Sequence, residues 1–160
     1  MKPYQEVNVI VLKQYWRTVV IVILTIGIIA FIFTNSLQNG EASNAFSAPF
    51  VEWAERIFDP NDKIPTQTFN YAIRKLAHIT EFTMIGLALG GLMCSAYRAK
   101  KQWHIAAVLF WGLSIAVIDE YIQSFTARTS SVSDVLIDFV GVLFGLGLTA
   151  LVYHLTHKKQ

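Results

Sequence analysis

The run from Trp16 to Phe33 carries no charge beyond Arg17, and this constrains the chain more than any other feature. As a helix rising about 1.5 Å per residue, it is long enough to cross a hydrocarbon core of about 30 Å. It reads as a retained anchor, not a cleaved leader. The apolar run is long, and the nearest small-x-small site, Ser43 and Ala45, lies far from it.

Three more apolar runs follow, Ile73 to Tyr97, Trp103 to Phe125 and Val132 to Tyr153. The chain is 54% hydrophobic and 15% charged with a mean hydropathy of +0.45, and its apolar residues come in long blocks, not stripes. The expectation is an all-α integral membrane four-helix bundle occupying 1–160 as a single domain. Gly86 with Gly90 and Gly141 with Gly145 are small-xxx-small pairs suited to close helix contact. A net charge of +2, without a basic patch, argues against a nucleic-acid partner. The single cysteine, Cys94, allows no internal disulfide and lies inside an apolar run.

The 34–70 segment is the sizeable extramembrane piece. It opens on the polar stretch Asn35 to Gly40, after which Phe46, Phe50, Trp53 and Ile57 recur on one helical face. Glu52, Glu55 and Arg56 lie largely off that face, which predicts a short amphipathic helix on the outer membrane surface, ended by Pro60 and Pro65. A helix packed on the spans with no binding role is the plainer alternative.

Basic residues gather in the N-terminal segment (Lys2, Lys13, Arg17), in the loop with Arg98, Lys100 and Lys101, and in the tail with Lys158 and Lys159. The 34–70 segment instead carries Glu41, Glu52, Glu55, Asp59 and Asp62. With an even number of spans all three basic pieces fall on one side, so both termini are expected to be cytoplasmic. Tyr15, Trp16, Tyr97, Trp103 and Tyr153 collect at the same ends, as interfacial aromatics do.

Ionisable residues inside apolar runs are costly and are functional candidates by default. Within RKLAHITEF, Arg74, His78 and Glu81 fall at i, i+4 and i+7 and share a face, with Lys75 beside them. The outer end of the third span adds Asp119, Glu120 and Gln123, the following loop Arg128, and the start of the fourth span Asp134 and Asp138. Counted from the expected helix ends, Glu81, Asp119 and Asp138 share a depth, with His78, Gln123 and Asp134 about one turn nearer the surface. A layered polar pocket open to the outside is expected, with Arg74, Lys75 and Arg128 at its rim. Its five carboxylates exceed the nearby cations, so pairing, proton sharing or a bound cation must offset the excess.

The RKLAHITEF, IDEYIQSFTAR and SDVLIDFVGVLFG segments, with NSLQNGEAS after the first span, resemble the VanZ-like family of small membrane proteins, named for a glycopeptide (teicoplanin) resistance protein. The family pattern falls here on Arg74, Lys75, His78, Glu81, Asp119, Glu120, Gln123, Arg128, Asp134 and Asp138. Thr126-Ala127 stands where a Pro-Gly turn is common. The resemblance implies a multi-pass protein of the bacterial plasma membrane, in some members linked to reduced glycopeptide susceptibility.

Several readings of the charged residues compete. In the plainest, the charges pair and lock the helices together. In the second, Arg74, Lys75, Gln123, Arg128, Asp134 and Asp138 bind the headgroup of a membrane lipid or a lipid-linked cell-wall intermediate, with a glycopeptide antibiotic as a further partner. In the third, His78, Glu81, Asp119 and Glu120 form the catalytic cluster of a membrane-embedded hydrolase. A zinc site of the usual His-rich type is disfavoured, because His104, His154 and His157 lie at the cytoplasmic ends. An oxygen-ligated magnesium or calcium site stays open. Ser124 and Ser133 are weak nucleophile candidates, and Ser133 reads as a helix cap. A proton-coupled transporter would need a homo-oligomer, since four short spans leave little room for alternating access.

Overall fold

The structure, a computed structural model, describes residues 2–61, 63–100, 102–126 and 130–157, with residues 2–11 and 100 described by backbone only. In chain order the helices are α1 Lys2–Ser36, α2 Gly40–Phe58, α3 Thr66–Lys100, α4 Ile105–Gln123 and α5 Val132–His157. Four of them, all but α2, are long and apolar enough to cross a membrane, and no strand occurs among the described residues.

The bundle is built around the α3–α5 contact, where the two glycine pairs meet. A β-carbon on Gly145 would lie 2.7 Å from Leu87 N and 2.9 Å from Gly86 C, and one on Gly141 would lie 2.7 Å from Ile79 O. The backbones therefore touch, as glycine pairs permit in a lipid setting where packing replaces the hydrophobic drive. Around that seam Ile32 of α1, Phe82, Ile85 and Leu89 of α3, Val108, Ile115 and Ala116 of α4 and Val142 of α5 form the core. Large apolar side chains such as Ile23, Phe31, Phe110, Val140 and Phe144 point outward instead. An exposed apolar surface this extensive marks the lipid-facing side of a membrane protein.

Helix ends differ from expectation in ways that matter below. α1 is already helical at Lys2, well before Trp16, and α3 starts at Thr66, a full seven residues before Ile73. The termini, the α3 end and the α4 start share one end of the bundle, where Trp103 stacks on Tyr97 with ring centroids 4.2 Å apart and meets Tyr153 edge-on at 5.3 Å.

The 34–70 segment folds as the sequence suggests. Asn39 caps α2 by accepting from the Ala42 N–H at 2.9 Å. Ser47, Val51 and Ala54 are buried, whereas Phe46, Phe50, Trp53 and Ile57 are exposed. α2 packs on α3 through its small face, which leaves its aromatic face exposed. Of the chain's four tryptophans, a variant keeping only Trp53 is expected to show fluorescence quenched more by lipids brominated near the headgroup than by lipids brominated near the terminal methyl. Quenching by neither would place this face in water.

Candidate functional site

At the end of the bundle away from the termini, three helices bring His78 (α3), Asp119 (α4) and Asp138 (α5) together. His78 Nδ1 lies 3.3 Å from Asp138 Oδ1 and 3.8 Å from Asp119 Oδ2. The local sequence accounts for this. Asp138 precedes Gly141 by three residues, so it shares the face of α5 that the glycines draw against α3. Asp119 follows the buried Ile115 and Ala116 on the inward face of α4. Both carboxylates are fully buried, and the His78 side chain, 16% exposed, is where the cluster reaches outward.

The last turn of α1 completes the surroundings of Asp119. Ser36 Oγ donates to Asp119 Oδ1 at 2.5 Å, and Gln123 Nε2 donates to Asp119 Oδ2 at 2.7 Å. Sequence reasoning drew the cluster from the other three spans and missed this contribution. The available signal was the polar stretch opening at Asn35, which lies at the same depth as the charged residues. The neighbouring Asn35 holds Glu81, its Nδ2 donating to Glu81 Oε1 at 2.9 Å.

The depth assignment changes accordingly. Because α3 starts seven residues earlier than expected, His78 lies deeper than a count from Ile73 gives, level with Asp119 and Asp138. Glu81, one turn further on, faces α1. Glu120 is buried but points at the α4–α5 connection, where its Oε1 accepts from the Ser131 N–H at 2.6 Å. Lys75 forms an ion pair with Asp134, both partly exposed, and Arg74 is half-buried one turn before His78. Arg128 lies outside the described residues. Charge reversal at Lys75 (Lys75→Glu) is expected to cost about 1 kcal/mol or less, as partly exposed pairs do, and to be rescued by Asp134→Lys in a thermal-melt comparison.

One further expectation is corrected. The cap of α5 is Ser131, whose Oγ accepts from the Asp134 N–H at 3.3 Å, while Ser133 is exposed inside the helix. Beside Asp119 the space is filled by the buried Ser36 and Gln123, whose Nε2 donates to Ser36 Oγ at 3.4 Å. A groove of about 860 Å³ does exist, but at the opposite end, with apolar walls and Lys13, Arg17 and Arg98 among its lining. It shares no residue with the cluster, and its size says nothing about where the ionisable chemistry sits.

Chemically, the cluster pairs an imidazole with two carboxylates in a setting with little water. It can hold or move a proton, or coordinate a cation, and His78 is its contact with the exterior. A family model described as VanZ/LLP1 matches residues 21–153, from within α1 to near the end of α5, and so includes every residue of the cluster. No curated protein and no solved structure matches the chain.

Proposed function

This chain belongs to the VanZ/LLP1 family, and from that membership and the His78–Asp119–Asp138 cluster we propose that it is a multi-pass envelope protein of the bacterial plasma membrane that binds the headgroup of a lipid-linked component. The observation that carries the reading is the placement of His78, partly exposed, over two buried carboxylates at the end of the bundle away from the basic termini. With cytoplasmic termini, that end faces outside, where lipid-linked cell-wall intermediates are exposed. Half-buried Arg74, one turn before His78, supplies a planar donor fork suited to phosphate. The aromatic face of α2 holds the same segment against the interface. Shielding such a component would lower glycopeptide (teicoplanin) susceptibility as a consequence.

A second reading, hydrolysis of the bound component, is favoured by the two carboxylates that face Nδ1 of His78, an arrangement that can orient the imidazole as a general base. Purified protein mixed with a polyprenyl-diphosphate-linked muropeptide separates these readings. Retention of intact lipid by the wild type, weakened at least about tenfold in Arg74→Gln, supports binding. Release of a cleaved headgroup supports hydrolysis, and no retention in either protein contradicts both.

A further inference from the structure

We propose that His78, Asp119 and Asp138 bind one divalent cation. Each offers one donor atom, and the donor atoms all lie within 4.8 Å of one another. Ligands held about 2.0–2.2 Å from one ion stand about 3.0–3.5 Å apart from each other. His78 Nδ1 and Asp138 Oδ1, at 3.3 Å, already have that spacing, and Asp119 Oδ2 lies 3.8 Å from the same nitrogen.

An independent observation points the same way. Asp138 is 1% exposed, and its Oδ2 has no hydrogen-bond partner among the described residues. A buried carboxylate oxygen in an apolar bundle calls for a partner, and an ion held by both Oδ1 and Oδ2 would supply one. Asp119 is prepared as a ligand as well. Ser36 fixes Oδ1 and Gln123 fixes Oδ2, the kind of outer contacts that orient metal-binding carboxylates.

Charge balance sets the valence. Lys75 is committed to Asp134, so the cluster's two carboxylates match one ion of charge +2. The mixed nitrogen and carboxylate set suits zinc or manganese better than calcium, which takes about 6–8 oxygens. This differs from the His-rich zinc site that the sequence disfavours. It also stands apart from the headgroup reading, which could fail while the ion remains.

The test loads the full chain in detergent with zinc chloride, desalts it and counts metal by mass spectrometry. About one zinc per chain is expected for the wild type, falling at least about tenfold in His78→Gln and in Asp138→Asn, with helicity by circular dichroism unchanged. No retained zinc in the wild type overturns the proposal. So does equal zinc in wild type and variants, the signature of an adventitious ion only. Should the variants not fold, zinc-edge absorption of the wild type decides: scattering from one imidazole and a nitrogen/oxygen shell at about 2.0–2.1 Å supports the site, and its absence overturns it.

Discussion

Gly145→Leu is expected to remove most folded protein from the membrane. A β-carbon at Gly145 already meets Leu87 N at 2.7 Å and Gly86 C at 2.9 Å, and these are backbone atoms with no rotamer to yield. Only separation of α3 from α5 makes room, and that would dismantle the seam on which Phe82, Ile85 and Val142 pack. Overpacking a well-filled core costs about 1–3 kcal/mol when side chains can adjust, and here the obstruction is backbone. It would also pull Asp138 away from His78, since the glycine face of α5 positions both contacts. Quantitative immunoblotting of membranes checks this, with Gly147→Leu as the control, since no atom lies within 4 Å of a β-carbon there. Equal abundance of the two variants would show that the α3–α5 seam does not hold the fold.

The second large effect is at Asp119, where alanine and asparagine are expected to diverge. Asp119→Ala strands the buried Ser36 and Gln123 donors and removes one of the two carboxylates beside His78. Removing one member of a buried charged network costs about 3–5 kcal/mol, a large share of the about 5–15 kcal/mol that keeps a typical protein folded. Membrane abundance should fall severalfold. Asp119→Asn keeps the volume, and its carbonyl can still accept from Ser36. A turn of the Gln123 amide lets its carbonyl accept from the new amide group. Abundance should then stay close to wild type. Detergent-solubilised protein measured by size-exclusion chromatography checks both, and equal loss in the two variants would mean that the charge at Asp119 itself holds the helices together.

Much of this arrangement is legible in the sequence because lipid imposes simple rules. Apolar runs of sufficient length become α1, α3, α4 and α5, and the pairs Gly86/Gly90 and Gly141/Gly145 mark the faces that approach closely. The spacing of Phe46, Phe50, Trp53 and Ile57 gives the outward face of α2. Depth was less legible. Hydropathy locates the apolar part of a helix but not its end, and the polar first turns of α3, from Thr66, continue the helix beyond the apolar run. That shift carries His78 inward to meet Asp119 and Asp138 and leaves Glu81 to Asn35. The role of Ser36 depends on how α1 packs against α4, and the polar stretch from Asn35 marks the depth of that serine but not its partner. Glu120 and Asp119 are adjacent in sequence but about 100° apart around the helix, which sends one to the α4–α5 connection and the other to the cluster.

The central claim is that the intramembrane cluster carries the function and does not merely lock the bundle. Its most direct test is lipoglycopeptide susceptibility of cells expressing the wild-type chain, Glu81→Gln or Asp119→Asn, with membrane abundance measured in the same cultures. Where the wild type lowers susceptibility, Asp119→Asn is expected to lose that protection at near-equal abundance, and Glu81→Gln, outside the cluster, to lose less. Full protection by Asp119→Asn at wild-type abundance would contradict it.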